Sequence, residues 1–206
     1  MEEEEDKEIK IITLGDKGVG KTSIIKRIKD LNYNEKNKSS DYDIFFKYYE
    51  TKYLTIKFTF YDIKNQEAYQ NSLNPLPLDY IKDSHIVILV FSNIDSLNNL
   101  KKKWYKFYKE NTTIKNPRFI LIGNISDISE KDKYDILKLV EEFSEEIDAH
   151  FLTCSENNND NIDNIDNIDN VERYIIKEAK SFINREKEEK ECSFCDLCVK
   201  LFYCKS

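Results

Sequence analysis

Residues 15–22 read Gly-Asp-Lys-Gly-Val-Gly-Lys-Thr, and no other stretch constrains this chain's architecture as strongly. The spacing is G-x-x-x-x-G-K-[ST] in full. The apolar run Ile9–Leu14 precedes it, and Ser23–Leu31 follows with Ile24, Ile25, Ile28 and Leu31 at helical spacing. A strand, a glycine-bearing turn and a helix, in that order, let consecutive backbone N–H groups converge on phosphate oxygens at a helix N-terminus. In such a loop Lys21 supplies positive charge to the β- and γ-phosphates, and the Thr22 hydroxyl is a ligand for Mg2+. The loop specifies a phosphorylated nucleotide without saying which.

The remaining pattern alternates short β-like runs with longer helical stretches. Ile44–Tyr49 and Leu54–Tyr61 are rich in β-branched and aromatic residues, with Glu50–Tyr53 between them as a hairpin turn. Ile86–Phe91 and Phe119–Ile122 read as fully buried strands and His150–Thr153 as a short one. Helices are expected over Leu97–Lys109, Tyr134–Glu146 and Val171–Lys190. Strands alternating with helices imply an α/β fold with a six-stranded, mostly parallel sheet, one antiparallel strand and helices on both faces. Pro75 and Pro77 interrupt the region after Gln66, where a short irregular helix would otherwise run.

At 206 residues the chain has room for one domain and a modest tail. Hydrophobic residues make up 40% and charged ones 34%, with a mean hydropathy of −0.66, so it is polar yet long enough to bury a core. Its longest apolar run, Ile86–Phe91, falls far short of the roughly 20 residues of a membrane span. The acidic run Glu2–Asp6 stands where a secretory leader would be basic and then apolar, so no leader is expected. A net charge of −7 argues against a general nucleic-acid binder, which needs a basic face. Residues 1–8 read as an acidic extension, 9–191 as the domain and 192–206 as a cysteine-rich tail. Within the domain Asn157–Asn170, with Asn-Ile-Asp three times over, reads as a solvated loop insertion. Asp163, Asp166 and Asp169 do not make a calcium loop there, because the glycine and terminal glutamate of an EF-hand are missing.

Four motifs in order resemble the Ras-like small GTPases, most closely the Rab branch, over Ile9 to Asn184. Gly15–Thr22 is similar to the Rab loop G-D-S-G-V-G-K-T with Lys17 for serine. Phe60-Tyr61-Asp62-Ile63-Lys64-Asn65-Gln66-Glu67 resembles I-W-D-T-A-G-Q-E. Ile122-Gly123-Asn124-Ile125-Ser126-Asp127 resembles V-G-N-K-x-D, and Thr153-Cys154-Ser155 resembles the T-S-A turn. Trp104 stands where Rab proteins commonly carry tryptophan. The resemblance implies the small-GTPase form of the phosphate-loop fold, with GTP or GDP and Mg2+ as cofactors. It implies that Gly15, Asp16, Lys17, Gly18, Val19, Gly20, Lys21, Thr22 and Ser23 surround the phosphates. It makes Asp127 the acceptor for guanine N1 and N2, Asn124 a support of the base loop, and Cys154 with the Ser155 N–H the approach to O6. Tyr33, twelve residues past Lys21, matches the aromatic that packs on guanine. Asp62 would hold Mg2+ through water, Gln66 would orient the hydrolytic water, and Lys21 would serve catalysis as well as binding.

The chain also departs from that pattern. Asn65 stands where the family has the glycine whose N–H contacts the γ-phosphate, beside Ile63 and Lys64 in place of threonine and alanine. Ile125 replaces the lysine whose stem lies over the base. Lys17 places a bulky side chain where it obstructs the hydrolytic arrangement. The switch threonine is replaced by Ser39 or Ser40, with Ser39 the preferred Mg2+ ligand. These changes predict GTP and GDP binding with slow hydrolysis, or, as the alternative, a switch-defective pseudo-GTPase serving as a membrane-attached scaffold. A small ATPase or nucleotide kinase fits less well, given Asp127 and only four arginines (Arg27, Arg118, Arg173 and Arg185).

Four of the five cysteines, Cys192, Cys195, Cys198 and Cys204, lie in the last fifteen residues. Cys204 is third from the end, so neither the adjacent-cysteine Rab ending nor a C-a-a-X box is present. Interleaved with Phe194, Leu197, Leu201 and Phe202, the cysteines suit multiple S-acylation, since stable anchoring takes two or more attachments. Cys-x2-Cys-x2-Cys-x5-Cys is also ligand-like, though iron–sulfur runs want a shorter last gap and a proline, and zinc sites usually pair two knuckles. The resulting expectation is a switch in vesicle trafficking on the cytoplasmic face of an intracellular membrane, cycling with cytosol. Its partners would be guanine nucleotide and effector, exchange-factor and activating proteins that meet the switch regions.

Overall fold

The computed structural model describes residues 5–28, 32–33, 42–52, 54–64, 78–125, 130–154 and 170–185. The strands are β1 (Glu5–Leu14), β2 (Asn32–Tyr33), β3 (Tyr42–Glu50), β4 (Leu54–Ile63), β5 (Ile86–Phe91), β6 (Arg118–Asn124) and β7 (Ala149–Cys154). They form one sheet in the order β2-β3-β4-β1-β5-β6-β7. All six predicted strands are present, and the two-residue β2 adds a seventh at the edge. Only β3 is reversed: it pairs antiparallel with both β2 and β4, while the β1–β4, β1–β5, β5–β6 and β6–β7 pairings are parallel.

Burial on both faces explains why the central strands read as continuous apolar runs. In β5, Ile86, Ile88 and Val90 face one core cluster while Val87, Leu89 and Phe91 face the other, following the two-residue period of a strand. The first cluster is closed by helix α1 (Lys21–Arg27) and the helix over 170–185, through Ile24, Ile25, Val171, Ile175 and Ala179. The second is closed by α2 (Leu78–Lys82), by a helix running from 94 to 111 and by α5 (Glu130–Glu146). The middle helix is α3 (Ile94–Asn99), a π-helical stretch Leu100–Tyr105 and α4 (Lys106–Asn111) in one run. A capping box at Asn93 and Ser96 starts it, which moves its beginning ahead of the predicted Leu97.

The first strand begins earlier than its apolar run suggests. Glu5–Glu8, read above as part of an acidic extension, belong to β1 and pair in register with Leu54–Lys57. Charge on a strand is tolerated where partners meet it: Glu8 accepts from Lys57 Nζ (2.8 Å) and Thr59 Oγ1 (2.7 Å). Although burial pushes the Glu8 carboxyl up, these partners outweigh it and hold the group below its ordinary value. Helix α1 is shorter than predicted, since the backbone turns extended at Ile28. A short helix, α2, does follow the Pro75–Pro77 region.

Candidate functional site

The parallel strands β1, β4, β6 and β7 all end at one edge of the sheet, and their last residues build the site there. From β1 the chain enters the loop at Gly15, whose φ is +152° and where a Cβ would lie 2.3 Å from the Val90 carbonyl oxygen. Glycine is therefore demanded by the close approach of the loop to the end of β5. At Gly20 φ is +100°, and a Cβ would sit 2.6 Å from Asn124 Nδ2. Gly20 is also the residue before α1, and as the N-cap it makes no side-chain hydrogen bond to the backbone N–H groups of the first turn, which holds no acidic residue.

The charged groups of the loop are already held. Lys21 Nζ donates to the carbonyls of Gly15 and Asp16, both at 2.7 Å. The Thr22 hydroxyl donates to Asp62 Oδ2 at 2.7 Å. Asp62 is 1% exposed at the end of β4. Burial pushes its carboxyl above the ordinary value, while the Thr22 hydrogen bond and the Lys21 charge pull the other way. Asp43 of β3 lies directly across the ladder from Asp62 and raises it further. The Lys64 ammonium, 2.9 Å from Asp43, balances that second carboxylate. Asn124, at the end of β6, donates from Nδ2 to the Val19 carbonyl (3.3 Å) and so ties the loop to the sheet. The Asp16 carboxylate turns to the middle helix, accepting from Trp104 Nε1 at 2.8 Å and Asn99 Nδ2 at 2.7 Å.

A hydroxyl and a carboxylate beside a phosphate loop are the hard oxygen donors that Mg2+ takes, since this ion keeps several waters and uses one or two protein ligands with substrate phosphates. Among the described residues no group of three or more His, Cys, Asp or Glu side chains makes a separate metal site.

The sequence profile of the Ras family matches residues 10–178. The chain belongs to the Ras family. This Ras-family chain is 27% identical over 164 residues to the GTP-binding protein ypt1 of Schizosaccharomyces pombe, covering 77% of this chain and 76% of that protein. It is 30% identical over 127 residues to the Ras-related protein RABG1 of Arabidopsis thaliana, covering 59% and 60% respectively.

The structure brings Gly15–Thr22, Asp62 and Asn124 together, through the Thr22–Asp62 and Asn124–Val19 hydrogen bonds. Lys17 and Gly18 are exposed on the loop and Ser23 is exposed in α1, whereas Val19 is buried. Tyr33 lies in β2 opposite Phe45, and Cys154 is buried at the end of β7 in register with Asn124. Ile125, the replacement for the family lysine, packs against the second core cluster. Ser39, Ser40, Asn65, Gln66, Asp127 and Ser155 lie outside the described residues, as do Cys192, Cys195, Cys198 and Cys204. Sequence reasoning missed Asp43, Lys64 as its partner, and Asn99. The β3–β4 hairpin could have placed Asp43 across from Asp62, but no local pattern marks Asn99.

Proposed function

We propose that this chain is a nucleotide switch that binds GTP and GDP with Mg2+, hydrolyses GTP slowly and acts in vesicle trafficking. The observation that carries the reading is the Thr22 hydroxyl hydrogen-bonded to the buried Asp62 carboxylate immediately beside Lys21. Thr22 and Asp62, with Ser39 from the switch, would hold Mg2+, which when bound would neutralise phosphate charge. Lys21, held against the loop by its two carbonyl acceptors, would offer its ammonium to phosphate oxygens, and the loop N–H groups would take the rest. Asp127 selects guanine over adenine, with Tyr33, Asn124, Cys154 and Ser155 around the base, and Gln66 orients the attacking water.

Slow turnover follows from Lys17, exposed at the loop crest, and from Asn65 in place of the γ-phosphate glycine. Ras itself turns over unaided at roughly 3–5 × 10⁻⁴ per second. The purified full chain is expected to carry stoichiometric guanine nucleotide and to hydrolyse GTP well below that rate in a single-turnover assay. A rate at or above it, or equal retention of adenine nucleotide, would sink the proposal. Nucleotide retained with no turnover at all favours the scaffold alternative.

Membrane attachment rests on Cys192, Cys195, Cys198 and Cys204. No described helix is long and apolar enough to cross a membrane. Acyl chains on two or more of these thiols supply the anchor. Intact-mass spectrometry of protein from its own cells reads this directly: acyl mass on the tail is expected, and a bound divalent metal without acyl mass reverses the assignment.

A further inference from the structure

Asp16 occupies the first variable position of the phosphate loop, yet both of its carboxylate oxygens are engaged away from it. Oδ1 accepts from the Trp104 indole at 2.8 Å and Oδ2 from the Asn99 amide at 2.7 Å. On its other side the same backbone segment is gripped by Lys21, through the carbonyls of Gly15 and Asp16 at 2.7 Å each. The first turn of the loop is thus fixed from two directions. The outer anchor is stiff: Trp104 is 0% exposed in the second core, and an indole N–H facing a carboxylate makes a charge-assisted hydrogen bond.

The helix geometry is what lets two residues five apart reach one carboxylate. At 3.6 residues per turn they would lie about 140° apart around an α-helix. The π-helical stretch Leu100–Tyr105 widens the turn between Asn99 and Trp104 and swings them toward a common face. Such stretches recur at functional sites, and this one has its partner in the loop.

We propose that Asn99 and Trp104 are positioning residues for nucleotide binding, acting through Asp16 to hold the phosphate loop in its binding conformation. The assignment rests on the nucleotide reading above. It makes a prediction opposite in sign to simple electrostatics. Removing a negative charge beside an anion-binding loop ought to slow nucleotide release, whereas breaking a clamp ought to speed it.

The test uses the full chain loaded with a fluorescent GDP analogue in Mg2+ buffer, with dissociation rates for wild type, Asp16→Ala, Asp16→Asn, Asn99→Ala and the Asp16→Ala/Asn99→Ala pair. The expected rates rise about tenfold for Asp16→Ala and about threefold for Asn99→Ala, as fits a lost charge-assisted pair. The double variant should be no faster than Asp16→Ala alone. Asp16→Asn, which keeps one acceptor for the indole but none for the Asn99 amide, should release nucleotide faster than wild type and more slowly than Asp16→Ala. An unchanged or slower rate in Asp16→Ala, or effects that multiply in the double variant, overturns the clamp. A wild-type chain that holds no guanine nucleotide overturns the nucleotide reading instead. Amide exchange over residues 16–19 without nucleotide then still decides the clamp: faster exchange in Asp16→Ala supports it, and unchanged exchange overturns it.

Discussion

Replacing Gly15 with alanine tests whether the loop is held against the sheet as closely as the structure has it. The added Cβ would lie 2.3 Å from the Val90 carbonyl oxygen, and Val90 sits in β5 with 0% exposure, so neither side of the contact is a flexible side chain. Relief requires the loop to lift from the end of β5. Overpacking of this kind costs roughly 1–3 kcal/mol, and a side chain at positive φ adds about 1–2 kcal/mol. The sum, about 2–5 kcal/mol, lowers Tm by roughly 4–20 °C in a chain of this size. Gly18→Ala is the internal control, because its φ is +83° but a Cβ there meets nothing within 4 Å. Only the backbone term applies, so the loss is about 1–2 kcal/mol, or roughly 2–8 °C. Both are read by thermal unfolding of the full chain freed of nucleotide with a chelator, which removes ligand linkage from the comparison. Equal Tm losses in the two variants would refute the close approach as the reason glycine stands at position 15.

Burial raises the Asp62 carboxyl, so the folded chain keeps that proton to higher pH than the unfolded chain does. Its stabilising contribution is therefore present below the ordinary value of 3.8 and lost as pH rises through the raised one. Asp62→Asn should raise Tm of the nucleotide-free protein at neutral pH, with the gain vanishing toward pH 3.8, while abolishing the Mg2+ dependence of nucleotide affinity. A lower Tm at neutral pH would contradict this. On the same face of the sheet Glu178, 2% exposed, is paired with Arg118 Nε and lies 3.0 Å from His150 Nε2. Glu178→Ala leaves that arginine without its buried partner and should cost about 3–5 kcal/mol by denaturant unfolding. Asp148→Asn, at the 85% exposed partner of the same Arg118, keeps a residue suited to the φ of +50° there and should cost under about 1 kcal/mol.

Much of this architecture is legible in the chain because its signals are local. The apolar runs of β5 and β6 are buried on both faces, so they stand out without reference to anything distant. The glycine spacing of the loop likewise encodes positive φ and close backbone approach at fixed offsets. What escaped reading depends on contacts between residues far apart. Glu5–Glu8 look like a solvated acidic lead until Lys57 and Thr59 are placed beside Glu8 by the parallel register of β1 and β4. The pair Asn32–Tyr33 is too short to carry any period and becomes a strand only because β3 offers it an edge. Asn99 has no motif around it. Its role depends on a widened helical turn and on a carboxylate 83 residues earlier.

A loop that receives a polyphosphate would be expected to avoid carboxylates, yet this one contains Asp16 and is flanked by Asp62 and Asp43, in a chain of net charge −7. The arrangement of partners removes the conflict. The oxygens of Asp16 are committed to neutral donors on the middle helix, outside the loop. Asp43 is paired with Lys64, and the Asp62 charge is shared with the Thr22 hydroxyl and with Lys21 close by. Lys21 itself is held by carbonyl oxygens rather than by a carboxylate in its two loop contacts, so binding an anion does not require breaking those as an ion pair. Coulombic interactions between exposed charges fade beyond about 10 Å at ordinary salt. The sign of the field felt by a phosphate is therefore set by Lys21 and the loop amides, and the acidic surface elsewhere bears on solubility and partners instead.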